Sequence, residues 1–77
     1  MVKPTRVTNS LRRLRFENGE LTQAELAERI GVTRQTVIAI EQGRYSPSLE
    51  LAFQIAHVFK VPLDDVFQYP DFEGEAS

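Results

Sequence analysis

The chain reads as a small all-α domain of five helices. Two observations predict this. Apolar residues recur at intervals of three and four in successive segments, and nearly every segment starts at a side chain able to cap a helix and stops at glycine, proline or a polar loop. A third observation adds topology: very few residues separate the second and third segments, so those two helices must cross steeply and stay in contact.

Ser10 or Asn9 caps the first helix, which runs to about Asn18, with Val7, Leu11 and Leu14 as its apolar stripe and Gly19 as its stop. Thr22 caps the second helix, "QAELAERI", and Glu25 three residues later completes a capping box. Ala27 and Ile30 form its inner face with Leu26 alongside, and Gly31 stands where a left-handed C-terminal residue is wanted. Thr33 starts the third helix, "RQTVIAIEQ". Its β-branched residues Thr36, Val37, Ile38 and Ile40 lower helix propensity, but the Thr33 cap and the Gly43 stop favour helix over strand. Ser48 caps the fourth helix, "LELAFQIAHVFK", for which Leu49, Ala52, Phe53, Ile55, Ala56 and Phe59 predict a broad apolar face. Pro62 opens a short fifth helix, "LDDVF", with Asp64 and Asp65 at the positive end of its dipole and Val66 and Phe67 facing inward. Phe53, Phe59 and Phe67 are assigned to the core, and no strand is expected. Residues 1–69 read as one domain, and residues 70–77 as an acidic, disordered tail.

With 77 residues, 42% apolar and 26% charged, the chain suffices for one modest core. It has no cysteine and a single histidine, which leaves no thiolate metal site, disulfide framework or Cys–His pair. Asp64 and Asp65 are neighbours on a helix and do not face one cleft. An enzyme is therefore not expected, nor is a cofactor or a small-molecule ligand. No apolar run approaches the roughly 20 residues of a membrane span, and the N-terminus lacks a signal-peptide core. The expected location is the cytoplasm, in association with the nucleoid.

The net charge of −2 conceals a polarity. Residues 1–15 carry Lys3, Arg6, Arg12, Arg13 and Arg15 and no acid. From residue 46 onward Glu50, Asp64, Asp65, Asp71, Glu73 and Glu75 face Lys60 alone. A basic end steers a polyanion even when the total is slightly negative.

Two helices joined so closely call for a small residue on the first, glycine at the turn and branched apolar residues on the second. Ala27, Gly31, Val37 and Ile40 meet those demands. The second helix then stands out from the body, and a protruding helix fits the major groove of B-DNA. Arg34, Gln35 and Thr36 occupy its first turn: Arg pairs with guanine, Gln with adenine, and Thr with a base edge or a thymine methyl. Ile38 either meets a thymine methyl or packs under the fourth helix; both stay open. Gln23 is placed to clamp a phosphate or brace a neighbour, and Arg44, Tyr45 and Ser46 to grip the DNA backbone. Arg12 and Arg13 read first as a solvated basic face.

The segment "TQAELAERIGVTRQTVIAIEQG" (22–43), followed by "YSPSLELAFQIA" (45–56) and "LDDVF" (63–67), resembles the phage-repressor and Cro-like (Xre family) helix-turn-helix regulators. The small stand-alone members are the most similar. With "LRRLR" at 11–15 the resemblance spans most of the chain. It implies a five-helix lambda-repressor-like fold that binds double-stranded DNA as a homodimer on a palindromic operator, as a repressor by default. It further implies backbone contacts from Gln23 and Arg44, a recognition helix opening at Thr33, Arg34, Gln35 and Thr36, and a structural ion pair between Arg15 and Glu41. Ala39 stands where some members carry a longer base-reading side chain, and "ENGELT" is one residue longer than the usual link. For the dimer interface, Val66, Phe67, Tyr69 and Phe72 supply more apolar surface than a short last helix needs. The competing reading keeps the fold but makes it a protein-interaction module, an antitoxin-like partner contacted through the last two helices and the tail.

Overall fold

The computed structural model describes residues 5–70. In chain order the elements are β1 (Thr8–Asn9), α1 (Leu11–Glu17), α2 (Gln23–Ile30), α3 (Arg34–Glu41), α4 (Leu49–Phe59), α5 (Leu63–Val66) and β2 (Phe67–Gln68). The five helices enclose one core of Leu11, Leu14, Leu21, Leu26, Ala27, Ile30, Val37, Ile40, Leu51, Ile55, Ala56, Phe59 and Val66. α2 and α3 pack against each other, and α4 packs against α2 and α5.

The local signals explain the boundaries. Thr22 Oγ1 accepts from the Glu25 N–H (3.0 Å) and Glu25 Oε1 accepts from the Thr22 N–H (2.9 Å), a complete capping box. Thr33 and Ser48 cap α3 and α4 through the N–H groups of Thr36 and Leu51. The β-branched run in α3 stays helical because this cap fixes its start. Its end is closed by Gly43 N–H to the Ile40 carbonyl (3.0 Å) and Arg44 N–H to the Ala39 carbonyl (2.9 Å). α1 is capped by Asn9, whose Oδ1 accepts from Leu11 N–H (3.1 Å) while its Nδ2 donates to the Ile40 carbonyl (2.9 Å). Asn9 thus binds the start of α1 to the end of α3.

Gly31 adopts φ +73° and ends α2, with Val32 N–H reaching back to the Ala27 carbonyl (3.0 Å). A Cβ at Gly31 would meet nothing within 4 Å. Glycine is needed there for the left-handed backbone expected at the end of α2, while the crowding of two backbones at the turn does not require it.

Four expectations are corrected. The chain does contain strand: β1 and β2 pair antiparallel, Thr8 opposite Gln68 and Asn9 opposite Phe67, and Ser10 N–H donates to the Val66 carbonyl (2.9 Å). Two-residue strands carry no readable alternation. Val7 lies before α1, half-buried and outside any helix, and Phe67 (φ −125°, ψ 139°) has left the helix for β2 and is only half-buried. On α4, Leu49 and Phe53 are 68% and 54% exposed. Phe53 is two residues from Ile55, and at about 100° per residue these side chains leave the helix on nearly opposite sides. Leu51 takes the core position that the sequence reading gave to Phe53. No helix among the described residues is long and apolar enough to cross a membrane.

Candidate nucleic-acid interface

Val37 and Ile40 anchor α3 to the core, and their burial fixes which side of the helix faces solvent. Arg34 and Gln35, in its first turn, are exposed. Thr36 is half-buried; its N–H bonds Thr33 Oγ1, and the two hydroxyls lie 3.2 Å apart. Ile38 is half-buried and is not among the partly buried side chains packed on the core. Ala39 is also half-buried, and Arg44, Tyr45 and Ser46 are exposed on the loop that follows.

A largely buried ion pair ties α1 to α3. Arg15 Nε donates to Glu41 Oε2 (2.6 Å) and Nη2 to Glu41 Oε1 (3.0 Å), while Nη1 donates to the Leu21 carbonyl (3.0 Å). The two side chains are 15% and 9% exposed, so this bidentate pair is largely removed from water. Gln23 Nε2 joins it, donating to Glu41 Oε1 (3.1 Å). Of the two roles open to Gln23 in the sequence, the structure displays the brace.

Around this pair lies an open groove of about 1130 Å³ that gathers Arg12, Arg13, Phe16, Thr22, Gln23 and Arg34 on one surface. Arg15 and Glu41 neutralise each other at its floor. Arg12, Arg13 and Arg34 are then opposed, among the lining residues, by Glu20 alone. Arg13 also approaches Glu17 at 3.8 Å, but both are more than half exposed and the pair is weak. The open N-terminus of α2, with Gln23 and Ala24 on the groove wall, adds unpaired N–H groups and the positive end of a helix dipole. Arg12 and Arg13, read from sequence as a solvated face, therefore sit beside Arg34 and Gln23. The signal lay in their position on α1 away from Leu11 and Leu14, but which neighbour they would meet depended on the fold. Of the residues expected to contact DNA, only Gln23 and Arg34 line the groove; Thr33, Gln35, Thr36, Ile38, Arg44, Tyr45 and Ser46 do not.

The four residues singled out for a dimer contact separate. Val66 is fully buried and belongs to the monomer's core, Phe67 packs half-buried against it, and Tyr69 is exposed. Phe72 lies outside the described residues.

Comparison with known proteins places this arrangement. The helix-turn-helix family matches residues 11–66. The chain is 58% identical over 53 residues to the uncharacterized HTH-type transcriptional regulator MJ0272 of Methanocaldococcus jannaschii, covering 69% of this chain and 80% of that protein. It is 37% identical over 59 residues to the cryptic phage CTXphi transcriptional repressor RstR of Vibrio cholerae, covering 77% of this chain and 52% of the repressor. A crystal structure of a candidate DNA-binding protein from Bacteroides fragilis superposes with a TM-score of 0.70 at 19% identity, over 80% of this chain and 98% of that one, and shares the fold. On the residues that build α1 through α5, then, the chain belongs to the helix-turn-helix family, among the phage-repressor-like (Xre) transcriptional regulators that bind DNA.

Proposed function

We propose that the chain represses transcription by reading a palindromic operator in double-stranded DNA as a homodimer, one copy of α3 in the major groove of each half-site. The observation that carries this reading is the division of α3: Val37 and Ile40 are buried, while Arg34 and Gln35 stand exposed beside a basic groove. In this arrangement Arg34 and Gln35 meet base edges, Thr36 and Ile38 meet the bases further along, and Thr33 sets the helix start. Gln23, the α2 N-terminus, Arg44, Tyr45 and Ser46 hold phosphates and fix the register without reading sequence. Gln23 can do this while still bonded to Glu41, since its amide has a second N–H. The site of action is the cytoplasm, at the nucleoid.

Selection of bound sequences from a random duplex pool, at one stated salt concentration, tests the reading. The wild type should enrich a two-fold symmetric motif, and Arg34→Ala with Gln35→Ala should lose or alter it. No enrichment by a folded wild-type protein would overturn the proposal. A motif unchanged in the double variant would remove α3's first turn from base recognition.

A further inference from the structure

We propose that the outer face of α4 is the surface through which two copies of this chain pair, the two helices running antiparallel about a two-fold axis. The proposal rests on the homodimer reading above and supplies its surface. Five large apolar side chains are exposed among the described residues: Phe16, Tyr45, Leu49, Phe53 and Tyr69. Phe16 lines the basic groove, and Tyr69 lies beyond β2 at the end of the described chain. Tyr45, in the loop before α4, belongs to the phosphate contacts proposed above, which leaves Leu49 and Phe53 on adjacent turns of one helical face. That face turns away from Leu51, Ile55 and Phe59, so nothing in the monomer's core covers it.

The polar residues around it say what does. Glu50 lies in the first turn of α4 and Lys60 is its C-cap residue, about 15 Å apart along the axis at 1.5 Å per residue. Both are exposed, and neither side chain has an ion-pair partner among the described residues. A second α4 laid antiparallel, with the axis near the level of Ile55, sets Glu50 against the partner's Lys60 and Lys60 against the partner's Glu50. Phe53 then lies across from the partner's His57. A parallel pairing would oppose Glu50 to the partner's Glu50 and is disfavoured, whereas antiparallel helices also oppose their dipoles. Self-complementarity of this kind is what an isologous two-fold interface requires of a single patch. The hollow at Val7, Asp64, Phe67, Gln68 and Tyr69 lacks it, because its one charged lining residue is an acid.

Two large apolar residues per copy are few beside the roughly 20–30 residues a side of a standard interface, so the pairing is weak in the free protein and shows at high concentration and low salt. The test exchanges the two charges. In sedimentation velocity across protein concentrations, the wild type should self-associate. Glu50→Lys alone, and Lys60→Glu alone, should each weaken association roughly tenfold, since two attractions become two repulsions. Mixing the two variants should restore it, because each copy then offers the charge the other needs. Phe53→Ser should weaken it with no rescue by mixing. Circular dichroism verifies that these surface variants stay folded. Association that neither charge reversal nor Phe53→Ser alters would overturn the α4 surface and leave the homodimer reading standing. A wild type that stays monomeric to about millimolar concentration would overturn both, leaving α3's reading of a single half-site to be judged by the selection.

Discussion

Breaking the Arg15–Glu41 pair from one side should destabilise the domain far more than removing it whole. Glu41 accepts three hydrogen bonds, two from Arg15 and one from Gln23. Glu41→Leu leaves the Arg15 guanidinium with the Leu21 carbonyl as its one protein partner, at a position where only 15% of the side chain reaches water. Orphaning a charge in a buried pair costs about 3–5 kcal/mol, and the residual exposure of Arg15 puts the expected loss near the lower end. Arg15→Met should cost a similar amount, because Glu41 keeps only the Gln23 amide. Arg15→Met with Glu41→Leu removes both charges and their desolvation together, and should return to within about 1 kcal/mol of the wild type. Gln23, half-exposed, finds water in that variant. Urea unfolding of the four proteins gives the coupling directly, provided the slopes agree. Single variants that each lose less than about 1 kcal/mol, with a double variant equal to their sum, would show that the pair behaves as a surface contact and does not fix α1 against α3.

Lys60 ends α4 in the left-handed conformation (φ 58°, ψ 44°), so Lys60→Gly should raise stability by about 1 kcal/mol, visible as a Tm several degrees higher; a fall would refute the strain argument. The Thr22 backbone N–H first, the Thr22 hydroxyl next and Arg29 weakly hold the Glu25 carboxyl below its ordinary pKa, against a small opposing effect of desolvation. Its contribution to stability is therefore complete above the unfolded pKa of about 4.3 and is lost as pH falls through the lower folded value. Glu25→Gln keeps the bond to Thr22 without titrating, so its stability should fall less steeply with acid than the wild type's in pH-dependent melts. Ile55→Ala, at a site with no exposed surface, should cost about 2–5 kcal/mol against a total of roughly 4–12 for a chain this long, enough to bring denaturant unfolding close to physiological conditions.

What could be read from the sequence was whatever is decided locally. Thr22 with Glu25, Thr33, Ser48 and Gly31 fix helix ends through atoms within a few residues of one another, so the two crowded helices and their order were legible. Phe53 was misassigned because a helix rich in apolar residues offers more than one candidate face. Leu51, Ile55 and Phe59 are buried instead, on a helix that packs against α2 and α5, and periodicity within α4 alone does not reveal that packing. The β1–β2 pair escaped for a related reason: its partners are about 60 residues apart, each strand is two residues long, and only the return of the chain after α5 brings them together. The candidate site divided along the same line. Arg34 and Gln35 follow from a cap and a periodicity, while the approach of Arg12 and Arg13 to Gln23 is a property of the assembled fold.

That shared groove bears on the apparent conflict between a net charge of −2 and a DNA-binding family in a way that salt can test. Counterion release depends on the cations that meet phosphates and not on the chain's total, with a slope of about −0.9 in log K against log salt per phosphate neutralised on B-DNA. Arg12 and Arg13 lie on the groove, while Asp64 lines the separate hollow at Val7, Phe67 and Tyr69. If both arginines meet phosphates, Arg12→Ala with Arg13→Ala should make the slope about 2 shallower for each copy bound, and the preferred sequence should not change. A shifted sequence preference would instead make them base readers. An unchanged slope would return them to the solvated face, and the polarity of the chain would then act only through the field that guides encounter.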